Sequence, residues 1–457
     1  VTQLRVTQLT VSPNRHYLLK EDGTPFFYLG DTAWELFHRL NREEAQLYLE
    51  NRAAKGFTVI QAVVLAELDG LDAPNPYGHT PLQNNDPTCP NEAYFQHVDF
   101  IVETAARLGL YVGMLPTWGD KVHWLRGTTP EIFTPETAQV YGEFLGQRYQ
   151  DQPIIWILGG DRDPKTDGHL AIWRAMAAGL KAGDRGKHLM TFHCQSNSAQ
   201  WFHNDDWLDF NLFQSGHGEK NCPCHQTVTA NYHRSPVKPT LNGEPCYEDI
   251  PVRFWEINTP YRKWNKLPIV RQITRQQRGV FDDYDVRQAA YWSLLAGACG
   301  HTYGHNSVWQ MWEPGRLSFV PAQQSWQEAL DRPGAVQMGY VRRLFESRPF
   351  TQLIPDQAIL SSNLGKGAND TLAARAEDGS FLFVYIPTGN PVRVRLTAIQ
   401  GNSIAAYWYD PRTGKSQAIG MISNQREQEF HPPSQGHGQD WILVLDNAES
   451  QFPLPGS

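Results

Sequence analysis

Apolar residues in the first 300 positions come in short runs. Eight of them are Phe26–Gly30, Val59–Ala66, Tyr111–Pro116, Ile154–Gly159, His188–His193, Phe210–Gln214, Pro239–Asn242 and Cys299–Gly304, each ending in polar or aromatic residues. Short apolar runs bounded by turn signals predict buried strands. Between most of them the apolar positions change to helical spacing. Tyr94, Phe95, Val98, Ile101, Val102, Ala105 and Leu108 trace one helix face, which Gly109 ends. Asn41 with Glu44 is a capping-box pattern, closed by Gly56, and Thr134-Pro135-Glu136 opens another helix. Asp285 to Ala298 reads as a helix just before the eighth run. Strand and helix alternating eight times predict an α/β fold, the (β/α)8 TIM barrel. A doubly wound sheet is the runner-up, but no Gly-x-Gly-x-x-Gly follows a strand. The connections after the fifth and sixth runs are short and poorly helical, so the pattern is thinnest there. Residues 1–25 read as a short β element, with Arg15-His-Tyr-Leu-Leu-Lys20 alternating before the turn Glu21–Pro25.

From about Leu353 the helical period vanishes. Phe381–Ile386, Val392–Leu396, Ala405–Tyr409 and Trp441–Leu445 read as strands, separated by turns such as Glu377-Asp-Gly379 and Asp410–Gly414. This predicts a small antiparallel β-sandwich after the barrel. The domains are therefore 1–350, a catalytic barrel with its short N-terminal β element, and 351–457, a C-terminal sandwich.

Composition narrows the function. The 457 residues carry 40 Lys plus Arg and 48 Asp plus Glu, a formal net charge of −8, which disfavours nucleic acid as a partner. Apolar residues make up 40%, too many for a disordered chain, and no run of membrane-spanning length exists. The six cysteines make no disulfide framework. Cys222-Pro-Cys224-His225 is the tight cluster among them, and its spacing does not match common zinc sites. The chain starts at Val1 without a leader-like stretch, so on these grounds either a trimmed chain or a removed leader is expected. Aromatic residues reach 12%, including 15 Trp; flat apolar rings suit the C–H faces of sugars, although most will be core.

In barrels of this kind the reacting residues sit just past the carboxyl ends of the strands. Those positions hold Asp31, Trp34 and His38; Gln61 (inside its strand) and Glu67; Trp118, Asp120 and Trp124; Asp161, Arg162 and Asp163; His193 and Gln195; Gln214, His217 and Glu219; Asn242, Glu244 and Glu248; and His301, His305, Asn306, Trp309 and Trp312. No His-x-His follows the first strand, which disfavours a dinuclear metal hydrolase, and no phosphate-cradling glycines follow the last two. Carboxylates, amides and Trp remain, a lining suited to an oligosaccharide. Ile155-Trp-Ile-Leu-Gly-Gly-Asp161 and Pro239-Thr-Leu-Asn-Gly-Glu244 are strands that end in acids. A retaining glycosidase needs two carboxyl groups about 5–5.5 Å apart in different electrostatic surroundings. Asp161 is assigned as acid/base, with Asp163 its rival, and Glu244 as nucleophile, with Glu248 its rival. Asp31, Trp34, Gln61, Trp118, His193, His217, Asn242, Glu248, His301 and Trp309 are expected to bind substrate. Trp124 and Trp312 are further stacking candidates, and Lys121, Arg162, Arg253 and Lys263 are candidates to meet an acidic sugar. No metal and no cofactor is expected.

Four segments resemble glycoside hydrolase family 140: Gly23–Phe37, Lys55–Gln61, Trp156–Asp161 and Pro239–Glu248. The resemblance covers nearly the whole chain. It implies an apiosidase, cleaving β-linked D-apiofuranose from galacturonic acid in the pectin rhamnogalacturonan-II, in a periplasmic or secreted location. By motif, the acid after Gly159-Gly160 is Asp161 and the acid after Asn242-Gly243 is Glu244. The larger clan of retaining barrels places Asn-Glu at the fourth strand, where this chain has Gly160-Asp161. Two alternatives stand beside this: a glycosidase of the same fold acting on another pentofuranoside, and a non-catalytic carbohydrate-binding barrel.

Overall fold

The computed structural model describes residues 8–123, 130–256, 279–362 and 365–457. Trp124 and Lys263 lie outside the described residues. Strands β1 (Leu9–Val11), β2 (Leu18–Lys20) and β3 (Pro25–Phe26) form a small antiparallel sheet. Eight parallel strands follow: β4 (Tyr28–Thr32), β5 (Val59–Leu65), β6 (Tyr111–Thr117), β7 (Ile154–Gly159), β8 (Met190–His193), β9 (Asn211–Gln214), β10 (Thr240–Glu244) and β11 (Gly300–Tyr303). Each predicted run overlaps one of them. The first strand starts later than its run because Pro25-Phe26 pairs with β2 instead.

The strand order is β8-β7-β6-β5-β4-β11-β10-β9, a barrel that is nearly closed. The seam lies between β8 and β9, where the Thr191 hydroxyl donates to the Phe210 carbonyl at 2.7 Å and a single bridge joins Asn197 to Phe213. The only helical turn between these two strands, Ser198–Gln200, is three residues long. Of the two connections expected to be poorly helical, the fifth is thus a real gap in the helical ring, whereas the sixth carries the helix Cys224–Tyr232.

Elsewhere the helices follow their signals. Asn41 and Glu44 cap each other reciprocally at the start of Arg42–Ala54. Glu92–Arg107 buries Tyr94, Phe95, Val98, Ile101, Val102 and Ala105 against the barrel. The helix expected from Asp285 runs Asp283–Leu295, because Asp282 takes the cap and Asp285 closes its box. Among the described residues no helix is long and apolar enough to cross a membrane.

After the last barrel helix, Pro333–Glu346, come β12 (Leu353–Pro355), β13 (Leu372–Ala376), β14 (Phe381–Ile386), β15 (Val392–Val394), β16 (Ser403–Asp410), β17 (Lys415–Ser423), β18 (Gln428–Phe430) and β19 (Trp441–Asn447). Six form an antiparallel sheet ordered β12-β13-β14-β19-β16-β17, and β15 pairs with β18. Strand alternation gives the large sheet two apolar faces. Phe381, Phe383, Tyr385, Ile442 and Val444 join the barrel's core, where Tyr385 stacks on Tyr291 at 5.0 Å. Leu382, Val384, Ile386, Leu443 and Leu445 pack under Val392, Val394 and Phe430 of the small sheet. Two buried ion pairs cross between barrel and sheet: Arg287 holds Asp440 through two bonds of 3.1 and 2.8 Å, and Arg348 holds Asp446 at 3.2 and 2.6 Å.

The six cysteines are free thiols. Cys224 packs on Ala289 and Ser293, and Cys222 faces the Ser215 carbonyl.

Candidate active site

The end of β7 explains how Asp161 reaches the barrel mouth. Gly159, Gly160 and Asp161 have φ of 91°, 132° and 53°, a reversal that glycine makes without strain and aspartate tolerates. The space is as restrictive as the angles. A Cβ on Gly160 would sit 2.7 Å from the Trp118 indole, and one on Gly159 would sit 2.1 Å from the His193 carbonyl oxygen. The Gly160 N–H donates to that same carbonyl at 2.7 Å, so β7 and β8 are locked where the chain turns.

Glu244 arrives by another device. The pairing of β10 with β9 slips between Asn242 and Glu244, a bulge that re-aims the side chain at the strand end. From inside the barrel, Gln61 donates through Nε2 to the Gly243 carbonyl at 3.0 Å and accepts from the Tyr28 hydroxyl at 3.1 Å. Gln61 thus braces the bulge from below.

Two histidines converge on the Glu244 carboxylate. His193 Nε2 lies 3.0 Å from Oε2, and His217 Nε2 lies 3.1 Å from Oε1. In both rings Nδ1 faces a backbone donor: the Asp161 N–H at 3.4 Å for His193, and the Tyr247 N–H at 3.4 Å for His217. With Nδ1 accepting, the hydrogen of the neutral ring sits on Nε2, which for His217 is hydrogen-bonded to Glu244 and for His193 is the ring atom beside it. His193 therefore touches both acids, one through its backbone N–H and the other through its carboxylate.

The Asp161, His193 and Glu244 donor atoms lie within 4.8 Å of one another. That proximity could suit a cation, but these tautomers direct N–H groups, not lone pairs, into the space between the acids. The arrangement is that of a carboxylate held by donors beside a second carboxyl group.

The two acids sit in opposite electrostatic surroundings. Asp161 keeps part of its surface open to the mouth, yet it is densely enclosed. Burial first, then the charge of Glu244, push its carboxyl up to about 6, against opposing pulls from His193 and Arg162. Burial also works to raise Glu244, but the hydrogen bonds and charges of His193 and His217 overcome it and hold this carboxyl well below the usual range. Burial works to lower His193, and the bond to Glu244 with both nearby carboxylates reverses that, so its imidazole is raised.

Aromatic rings wall this pair. Trp34 lies 5.3 Å from Trp118 and 5.4 Å from His193, and Trp118 lies 5.7 Å from His193. Tyr247 packs on His217 at 4.5 Å. Trp34, Trp118, His193 and His217 are thus gathered around the two acids.

Other expected substrate ligands are engaged elsewhere. Asp31 faces the helix layer, where the Tyr48 hydroxyl and Arg52 (Nε, 2.6 Å) hold its carboxylate, and Arg52 continues to the Leu330 carbonyl. Asn242 points at Ser215 and Ser293. Glu248 accepts from the Tyr303 hydroxyl at 2.6 Å and from the Gly334 N–H at 3.0 Å, behind the barrel wall. His301 is buried on the strand face opposite Thr302, the residue that meets Gln61 inside the barrel, and burial lowers its imidazole to about 3. Trp309 stands edge-on to Phe319 at 5.8 Å, in the short helix after β11. Asp163, the rival of Asp161, accepts from Ser196 at 3.1 Å. Glu248 lies in the loop after β10 and is turned to Tyr303 and Gly334 there, whereas for Asp31, Asn242 and His301 the reason is strand geometry. Alternate residues of a barrel strand face opposite ways, and these three face the helices.

Glu67 belongs to the site and was passed over as a ligand. Its carboxylate lies 3.7 Å from Arg162, and burial, with Asp161 nearby, pushes it up to about 8 despite that cation. Its position just past β5 was the available signal.

A family model described as "Apiosidase-like, catalytic domain" matches residues 12–352, and one described as "Putative collagen-binding domain of a collagenase" matches residues 354–446. The chain is similar to a solved glycoside hydrolase at 35% identity, covering 98% of this chain and 99% of that one with a TM-score of 0.86. It is also similar to a glycoside hydrolase family 5 protein from Bacteroides vulgatus at 32% identity, covering 100% and 96% with a TM-score of 0.87. No curated protein matches it.

Proposed function

This chain belongs to the apiosidase-like catalytic-domain family and is a glycoside hydrolase, and we propose that it cleaves β-apiofuranosyl linkages to galacturonic acid in rhamnogalacturonan-II by double displacement. A Glu244 oxygen attacks the anomeric carbon of apiose. As that bond forms, the bond to the leaving oxygen breaks, and Asp161 delivers its proton to that oxygen. Water then attacks the same carbon, Asp161 takes the water's proton, and Glu244 leaves as a free carboxylate.

The observation that carries this reading is the pair itself. Two carboxyl groups have oxygens within 4.8 Å, one biased toward the protonated form and the other toward the ionised form. That is the division of labour between acid and nucleophile. The short gap favours direct attack over an interposed water, which needs about 6.5–9.5 Å between the carboxyls. His193 and His217 supply the donors that keep Glu244 ionised, while Trp34 and Trp118 pack against His193 and hold it in place. The proposed chemistry draws on no metal or cofactor, and its polymeric substrate implies action in the periplasm or outside the cell.

Digestion of rhamnogalacturonan-II oligosaccharides with identification of the released sugar tests the substrate. Proton NMR of the first-formed anomer tests the mechanism. Apiose released with retained configuration is expected. Cleavage of an aryl arabinofuranoside in preference to the aryl apioside would move the substrate to another pentofuranoside, and an inverted first product would remove the covalent step.

A further inference from the structure

Next to the two acids, the rim of the barrel carries a second feature the proposed chemistry does not use. Trp255 is 49% exposed, the largest exposure of any tryptophan among the described residues. It borders a cleft of about 390 Å³ that Ser215, Gly218, Glu219, Arg253 and Glu256 also line. That volume is within the ordinary range for small-ligand sites.

The cleft is built onto the active site. The Arg253 N–H donates to the His217 carbonyl at 2.8 Å, and Arg253 Nε donates to the Gly218 carbonyl at 2.9 Å. Phe254 packs on the His217 ring at 5.7 Å and on Trp255 at 5.3 Å. The loop that presents His217 to Glu244 and the loop that presents Trp255 are thus one packed unit. Even a Cβ on Gly218 would come only within 3.9 Å of the Trp255 ring tip, so the ring lies over a side-chain-free stretch of loop. Arg253 adopts φ of 52°, a left-handed conformation that a non-glycine residue holds only where its surroundings demand it.

The lining chemistry selects among ligands. An indole face with a guanidinium, a hydroxyl and two carboxylates offers an apolar plane ringed by donors and acceptors. A sugar ring matches this, with C–H groups on its face and hydroxyls around its edge. A polyphosphate does not, because Glu219 and Glu256 repel it. An aliphatic ligand would form no hydrogen bonds with this rim, where Arg253 faces Glu256 at 3.6 Å.

We infer that the Trp255 cleft is a distal subsite that binds a further sugar ring of the same oligosaccharide chain whose scissile end lies at Glu244. This rests on the glycosidase reading of Glu244 and Asp161. It predicts that chain length is read at Trp255, away from the reacting carbon.

The test separates binding from chemistry. Calorimetric titration of E244Q and of E244Q/W255A with a rhamnogalacturonan-II side-chain oligosaccharide should show affinity at least about tenfold weaker in the double variant, with E244Q/W255F close to E244Q because the aromatic face is kept. With Glu244 intact, W255A alone should turn over an aryl β-apiofuranoside at the wild-type rate, since that substrate carries no further sugar ring to occupy the cleft. Equal affinity in E244Q and E244Q/W255A overturns the subsite. So does a parallel fall in aryl apioside turnover, which would make Trp255 a support for the His217 loop, and so does absence of binding by E244Q. If wild type fails to cleave the aryl apioside while the affinity difference persists, the apiose assignment falls and the subsite stands.

Discussion

Removing the charge of Glu244 should lower the pH at which Asp161 titrates. In the free wild-type enzyme the reactive form has Asp161 protonated and Glu244 ionised. Burial and the Glu244 charge set Asp161 at about 6, so kcat/KM should fall above that pH. Two pH units higher, near pH 8, only about 1% of Asp161 is protonated, and kcat/KM should be about 100-fold below its plateau. Glu244, held down by two histidines, should put no acid limb above about pH 4 while the fold survives. The size of the Glu244 contribution follows from distance. Unit charges about 5 Å apart repel by about 3 kcal/mol at an effective dielectric of about 20, a ceiling of about two pH units. Burial is the larger of the two upward pushes on Asp161, and loss of the partner carboxylate also relaxes His193, which pulls the other way. In E244Q the Asp161 titration should therefore move down by about one pH unit. Carbon-13 NMR of aspartate-labelled E244Q, with E244Q/D161N assigning the signal, reads it directly. A midpoint in E244Q equal to or above the alkaline limb of the wild-type rate profile would refute the coupling, and with it the acid/base role of Asp161.

D161N and E244Q should each cut turnover by at least about a thousandfold with unchanged melting temperature, while E248Q should lose stability by about 1–3 kcal/mol and keep most of its activity; a dead but fully stable E248Q would transfer the nucleophile to that residue. G160A forces a Cβ to within 2.7 Å of Trp118 at φ of 132°. Its cost of about 1–3 kcal/mol should come with at least a hundredfold loss of kcat as Asp161 is displaced. G168A, whose nearest neighbour would be 3.6 Å away, should change neither thermal melting nor turnover. D440A leaves Arg287 buried without its bidentate partner and should cost about 3–5 kcal/mol in urea unfolding.

The barrel was legible because parallel strands buried on both faces read as short, largely apolar runs, clearest in β5, β6 and β7. The same property hid the orientation of individual residues. Asp31 and Trp34 follow one strand only three positions apart, yet Asp31 faces Arg52 in the helix layer and Trp34 faces the reacting acids. In a run such as Tyr-Leu-Gly-Asp-Thr no polar alternation distinguishes inside from outside. Asn242 and Glu244 show a further difficulty. They are two positions apart and should share a face, but the bulge between them sends one to Ser293 and the other to the mouth. The two carboxylates at the ends of β7 and β10 were foreseeable from position. Their histidine partners were foreseeable as site residues, but their shared grip on Glu244 depends on two backbone N–H groups that no side-chain pattern announces. Glu67 stood at a strand end, and only its enclosure beside Arg162 and Asp161 marks it.

The C-terminal sheet shares its hydrophobic interior with the helix that precedes β11, through Tyr291 and Tyr385 and the Arg287–Asp440 clasp. Cutting the chain after residue 352 would strand that helix with a bare aromatic flank and a guanidinium that keeps Asp283 and Gln337 but loses its bidentate carboxylate. The isolated barrel should thus aggregate when expressed without its appendage. Anyone grafting new loops onto this scaffold inherits the appendage as part of the chassis, and swapping it for a foreign module would have to rebuild both the tyrosine stack and the clasp.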